Sequence, residues 1–271
     1  MRPAHSDIYV PEFPAQIQAL NAPFVRMSTL LGRNVTLVWF WDCSSLNSLR
    51  ALPYLREWHA RYATLGLKVI GVHSPQFDFG KRREVVAQAV REHGIEFAVA
   101  LDSDFEVWQL YGNEVWPALY LWDRRGVLRY YHFGEGAYQE TERAIGELVA
   151  EIDQQAELPD PLAPLRETDR DGTLVLIPTP HRYLEEDRSA RSIAPGEVLE
   201  VTYEGAGASA VLDGEGEVDI ELDGRPLRTI VLDGPRLYEL VNSPEHEQHA
   251  LRLRFRAPAR AYAFSFAPGP A

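Results

Sequence analysis

Cysteine is nearly missing from this chain: Cys43 is the single one among 271 residues. No intrachain disulfide can form, and no cysteine-based metal cluster can be assembled. Long apolar runs are also missing. No stretch reaches bilayer length, so no membrane insertion is expected. Positive charge is in deficit, with 27 Lys and Arg against 40 Asp and Glu and a net charge of −13. A chain of that sign is repelled by phosphate backbones, which excludes nucleic acid as an expected partner. Tryptophan stops early, all six lying at or before Trp122. Sugar-binding faces rest on aromatic platforms, so the absence argues against glycan binding in the C-terminal part. The first seven residues lack the apolar core of a secretory signal. The expected location is therefore cytoplasmic, or extracytoplasmic if a leader was removed.

What is present points to two domains, the number that the length favours. Asn34 to Trp41 reads NVTLVWFW, a β-branched and aromatic run suited to a strand buried on both faces. Leu49, Leu52, Leu55, Trp58 and Tyr62 then recur at helical spacing up to Gly66, and Leu67 to Val72 returns as a strand. Together they make a βαβ unit with parallel strands. A helix from Lys81 to His93, a strand at Phe97 to Leu101 and a short helix N-capped by Asp104 follow. Ala118 to Trp122 and Val127 to His132 are expected to form a hairpin, and Gln139 to Gln155 a last helix. This order is that of one small α/β layer structure over residues 1–155.

Residues 156–172 carry Pro159, Pro161 and Pro164 among charges and read as a linker. Over residues 173–271 the apolar period shifts from 3.6 to 2, predicting an all-β sandwich of seven short strands. Leu-Asp-Gly recurs at 212–214, 222–224 and 232–234, each expected to be a turn at a strand end, since Asp-Gly supplies the positive φ of tight turns.

The chemistry concentrates at Phe40-Trp41-Asp42-Cys43-Ser44-Ser45-Leu46-Asn47-Ser48, where a buried strand enters a helix. Unpaired N–H groups at such a helix start favour negative charge, which is how a thiol placed there becomes a thiolate. The Phe-Trp pair, the four-residue window Ser45 to Ser48, Pro53 within the helix and Trp116-Pro117 before the hairpin resemble the thioredoxin superfamily. The resemblance implies that Ser45 and Ser48 occupy the positions of the C-x-x-C pair and that Pro117 is a cis-proline facing them. A closer resemblance is to the C-terminal region of DipZ-type thiol-disulfide interchange proteins. It is carried by LRALPYLREWH up to His59, GVHSPQFDF at 71–79, YGNEVWPALYL at 111–121, HFGEG at 132–136, GPRLYELV at 234–241 and AYAFSF at 261–266. It implies a thioredoxin-like α/β domain followed by an all-β jelly roll like a carbohydrate-binding module. It also implies thiol-disulfide exchange, from which this sequence departs with serine at both cysteine positions and with neither a membrane-embedded electron-supplying domain nor an export signal expected.

Serine has no disulfide chemistry, and its hydroxyl is not ionised at pH 7 without a dedicated base. Ser45 is read as the N-cap of the helix. No G-x-S-x-G elbow supports a hydrolase, and no Pro-x-x-x-Thr-x-x-Cys pattern surrounds Cys43. Cys43 is either a small buried residue or the thiol of a one-cysteine sensor. The resemblance places Trp39 where thioredoxin carries a buried Asp, so no proton relay is expected there. His246 and His249 have metal-like spacing in a segment read as a polar loop, without a third ligand nearby; no metal and no cofactor is expected. Tyr130, Tyr131 and His132 are read as alternating hairpin residues. The reading that results is a redox-silent thioredoxin-like protein whose groove, at Ser45, Leu46, Asn47, Trp116 and Pro117, binds a polypeptide or a redox-family protein. The alternatives are an oxidoreductase whose two cysteines were replaced deliberately, and the Cys43 sensor.

Overall fold

An unbroken β-branched and aromatic segment has no polar face to offer solvent, and Val35–Trp41 is buried at all seven positions in the computed structural model, which describes residues 7–271. Residues 1–6, most of the N-terminal segment used above to infer location, lie outside the described residues. The chain divides into two compact units at Pro164/Leu165.

The first unit runs β1 (Gln18–Leu20), β2 (Val35–Trp41), α1 (Leu46–Tyr62), β3 (Leu67–His73), α2 (Arg83–Glu92), β4 (Ala98–Leu101), α3 (Glu106–Leu110), β5 (Ala118–Trp122), β6 (Leu128–Phe133) and α4 (Tyr138–Ala150). Its sheet has the order β1-β4-β3-β2-β5-β6. The strands β2, β3 and β4 are parallel, and the other pairings are antiparallel. Alternation along β2 feeds two cores. Trp39 and Trp41 pack with Leu52, Leu55 and Trp58 of α1 and Ile145 and Val149 of α4, while Val38 and Phe40 pack with Val72, Val107 and Tyr120. This is the thioredoxin-like α/β arrangement.

Local details differ from the sequence expectation. The strand β1 was not anticipated, because three residues carry no measurable period. Asp104 does not cap α3. Phe105 takes the cap position in the left-handed region at φ 61°, and the Asp102 carboxylate receives the N–H groups of Val107 and Trp108, each at 2.9 Å. The last helix ends at Ala150, five residues before the expected Gln155. Part of the expected linker is fastened to the α/β unit. Glu142, only 5% exposed on α4, accepts from Arg61 Nη1 at 2.9 Å, from the Tyr62 hydroxyl at 3.0 Å and from Leu162 N at 2.9 Å, and Arg61 also donates to the Asp160 carbonyl. Among the described residues no helix is long and apolar enough to cross a membrane.

The second unit is mostly β: β7 (Val175–Leu176), β8 (Arg182–Tyr183), β9 (Arg191–Ile193), β10 (Val198–Leu222), β11 (Arg225–Asp233), β12 (Arg236–Phe255), β13 (Ala259–Ala267) and β14 (Gly269–Pro270). Several expected short strands are fused. Residues 198–203 and 218–222 belong to one 25-residue strand, and 237–241 and 251–255 to one of 20. Small residues from Gly205 to Ala210 let β10 lie between β12 and β13 with shifts of register rather than breaks. Of the three Leu-Asp-Gly repeats, the first therefore sits inside β10. The second is the two-residue hairpin joining β10 to β11, with Asp223 at φ 52° and Gly224 at φ 75°, and the third closes β11. His246 and His249 lie within β12 rather than in a loop.

Candidate functional site

Parallel strands end together, and in open α/β sheets that edge is where ligands are held. Here the C-terminal ends of β2, β3 and β4 carry a band of buried polar groups: Asp42, Ser44, Ser45, Ser48, His73, Ser74 and Asp102. Extending the β2–β5 register by one residue beyond Phe40↔Ala118 brings Pro117 opposite Trp41, at the same edge. The Trp116-Pro117 bond is cis, and the Trp116 indole donates to the Ser74 carbonyl at 2.9 Å.

Two hydroxyls organise the turn into α1. Ser45, at φ −86° and ψ 117°, is the N-cap, its oxygen accepting from Ser48 N at 3.3 Å. Ser48 Oγ accepts from Asp42 N at 3.3 Å. Both side chains are closed off from solvent, with 7% and 0% exposure. Between them Leu46 is half-buried and Asn47 exposed, and across the edge Trp116 is half-buried and Pro117 buried. Pro53 lies inside α1, where its ring has no N–H to give to the preceding turn.

Cys43 does not sit at the helix start. It precedes the cap by two residues, and its side chain joins the core with Trp41 and Leu52. Burial, with the Asp42 charge beside it, pushes the thiol well above its ordinary pKa. That is the reverse of a reactive-thiol environment. Trp39 is likewise pure core, stacked on Trp41 at 5.1 Å.

Sequence reasoning missed His73, the last residue of β3, paired in register with Trp41. It is 1% exposed, and its Nε2 accepts from Cys43 N at 3.2 Å and lies 3.5 Å from Asp42 Oδ2. Burial lowers its pKa, against the pull of Asp42, which keeps the ring neutral at neutral pH. Asp42 is fully buried and accepts from Ser44 N at 2.9 Å, from the Ser44 hydroxyl and from Gln76 N at 3.1 Å. Asp42, Cys43 and His73 each present a metal-ligating atom, all within 4.8 Å of one another. The histidines singled out from the sequence are engaged elsewhere. His249 Nδ1 is 2.8 Å from Asp223 Oδ2, and His246 Nδ1 accepts from Gly269 N at 3.1 Å.

Parts of this chain match known proteins. A model described as the AhpC/TSA family matches residues 9–131, and one described as a thioredoxin-like C-terminal domain matches 182–267. Protein DipZ of Mycobacterium tuberculosis is 38% identical over 141 residues, 52% of this chain but 20% of that protein. The chain thus spans about a fifth of that relative's length. The thiol-disulfide oxidoreductase YkuV of Bacillus subtilis is 30% identical over 148 residues, covering 53% of this chain and 96% of the relative. A solved thioredoxin-like protein in its oxidised form is 28% identical, with 54% of this chain and 97% of that one aligned at a TM-score of 0.49.

Proposed function

Because the chain belongs to the thioredoxin-like thiol-disulfide oxidoreductase family, we propose that it is a member without redox activity that binds an extended polypeptide at the edge formed by Leu46, Asn47, Trp116 and Pro117. The observation that carries this reading is chemical. Dithiol exchange needs two sulfurs, and the chain has one, held 3% exposed in a core. The reading takes Ser45 and Ser48 as the counterparts of the family's cysteine pair, where hydroxyls keep the capped turn but accept no electrons. What remains is a recognition surface. The turn backbone beside the cis-proline, with an aromatic side chain next to it, can hold an extended chain by backbone pairing and side-chain contact.

The test uses the purified full chain and two probes. In the insulin-disulfide assay with dithiothreitol the rate should equal that of dithiothreitol alone; turnover above that background overturns the loss of redox activity. A permanently unfolded polypeptide, reduced and carboxymethylated α-lactalbumin, should bind, and Trp116→Ala should weaken binding by roughly fivefold or more, a loss of about 1 kcal/mol. Absence of binding, or equal binding by the variant, overturns the groove.

A further inference from the structure

The Asp42–Cys43–His73 cluster is not used by the reading above. Three side chains of the types that hold transition metals converge at buried positions, their donor atoms all within 4.8 Å of one another. They come from the end of β3 and from the turn that follows β2. The parallel register that sets Trp41 beside His73 delivers Asp42 and Cys43, the next two residues, to the imidazole edge. We infer that Asp42, Cys43 and His73 form a binding site for one divalent transition-metal ion of the zinc class, at the C-terminal ends of β2 and β3 against the Ser45–Ser48 turn.

Four observations support the assignment. First, Asp42 Oδ2 and His73 Nε2 stand 3.5 Å apart, too far for a strong hydrogen bond. Oxygen and nitrogen ligands at about 2.1 Å from a tetrahedral zinc ion are separated by roughly 3.4 Å, so the pair is spaced as one edge of such a polyhedron. Second, the charges balance. One carboxylate and one thiolate offset a divalent cation, with neutral imidazole as the third ligand, and a buried site favours such neutrality.

Third, the surrounding shell is in place. Asp42 is oriented by N–H groups of Ser44 and Gln76, and the Asp42 N–H is taken by Ser48 Oγ. Nε2 accepts from Cys43 N, which makes Nδ1 the protonated nitrogen of the neutral ring. Coordination displaces the Cys43 N–H from Nε2. Fourth, Gln76, whose N–H reaches Asp42, carries a buried amide oxygen with no partner among the described residues. A water completing the ion's coordination supplies the kind of donor that oxygen lacks.

Binding forms metal–oxygen, metal–sulfur and metal–nitrogen bonds and breaks the Cys43 S–H bond, releasing one proton to solvent for each ion, with no change in oxidation state. The consequence is structural. The ion ties β2 to β3 immediately beneath the capped turn, whether or not the neighbouring edge binds polypeptide.

The experiment uses the full chain stripped with a chelator, then given Zn²⁺ or Co²⁺ both in the folded state and during refolding, since the ligands are buried. One equivalent of Zn²⁺ should bind and raise Tm, and Co²⁺ should give tetrahedral visible bands with a thiolate-to-cobalt charge-transfer band. With one thiol in the chain, that band can only report Cys43. Cys43→Ala should abolish it and weaken Zn²⁺ binding by roughly 100-fold or more, beyond the usual cost of losing an outer partner. The double variant His246→Gln/His249→Gln should bind as the parent does. The inference fails if no charge-transfer band appears by either route, if Cys43→Ala retains parental affinity, or if the His246/His249 variant loses binding. Should Cys43→Ala not fold, the band in the parent protein alone decides the matter.

Discussion

Placing sulfur at both hydroxyl positions, Ser45→Cys with Ser48→Cys, should convert the chain into a working dithiol protein. The Ser45–Ser48 spacing brings two side chains together across one helical turn, with Cβ atoms about 5–6 Å apart, close enough for local adjustment of the first turn to form a disulfide. A cysteine at the cap of α1 takes the position where dipole and free N–H groups lower thiol pKa values, from about 8.5 to between about 3.5 and 7.5. A value near 7 makes it about half thiolate at neutral pH, against roughly 3% for a free cysteine. The larger atom has a cost: Ser48 has no exposure at all, and overpacking such a site destabilises by about 1–3 kcal/mol. Closing a four-residue loop returns about 2 kcal/mol, so the oxidised variant should melt near the parent and the reduced one below it. Thiol titration in denaturant should find three groups in the reduced variant and one after mild oxidation, and peptide mapping should place the bond at 45–48. Insulin reduction should rise above the dithiothreitol background. A variant that folds, with parental circular dichroism, yet forms no 45–48 bond or shows no turnover would refute the equation of these serines with the family's redox pair.

Two further outcomes follow from burial. Cys43, with 3% exposure and a thiol pKa raised by burial, should resist maleimide in the native, metal-free protein and give no dimedone adduct after low peroxide, reacting fully once unfolded. Rapid native labelling would return the one-thiol sensor to consideration. Asp123 has a side chain 3% exposed; burial alone would raise its pKa, but the N–H groups of Val127 and Arg125 and the Arg125 guanidinium outweigh that and leave it lowered. A depressed carboxylate stabilises the fold above its unfolded pKa near 4 and loses that contribution as pH falls through the folded value. Asp123→Asn should therefore cost about 1–3 kcal/mol in urea melts at pH 7, and the difference should shrink as the pH falls below about 4. A difference independent of pH would show that packing, not charge, is what the side chain supplies.

The parts of this molecule that could be read from sequence are those whose information is local. The βαβ core was legible because Val35–Trp41 has one composition compatible with burial on both faces, and α1 because Leu52, Leu55 and Trp58 return at its period. The Ser45 cap was legible too, as a hydroxyl standing before a helical stripe. The misses share a cause. Asp102 rather than Asp104 caps α3 because a left-handed Phe105 re-aims the chain, and that residue type gives no warning of positive φ. The fusion of β10 rests on glycines and alanines that read as breaks until β12 and β13 supply partners on either side. His73 was passed over because no spacing motif joins it to Asp42 and Cys43, thirty residues away; only the parallel register brings them together.

That register also explains why hydroxyls fit this turn. A thiol is a weak hydrogen-bond acceptor, whereas an alkyl hydroxyl offers two lone pairs. Ser45 uses its oxygen to hold Ser48 N, and Ser48 uses its own to hold Asp42 N, so the chain passing from β2 to α1 has two donors satisfied within one turn. The second of these bonds positions the backbone of Asp42, whose carboxylate then takes Ser44 N and Gln76 N and stands beside His73. Sulfur in place of Ser48 would loosen the bond to Asp42 N, while Ser44 N and Gln76 N continue to hold the carboxylate. The Ser45–Ser48 turn and the Asp42–Cys43–His73 cluster thus share one oxygen atom, Ser48 Oγ. Sulfur at 48 should come with weaker metal binding at 42, 43 and 73, and a Zn²⁺ titration of the reduced Ser48→Cys single variant beside the parent, read by the rise in Tm, measures that weakening; an equal rise in both refutes it.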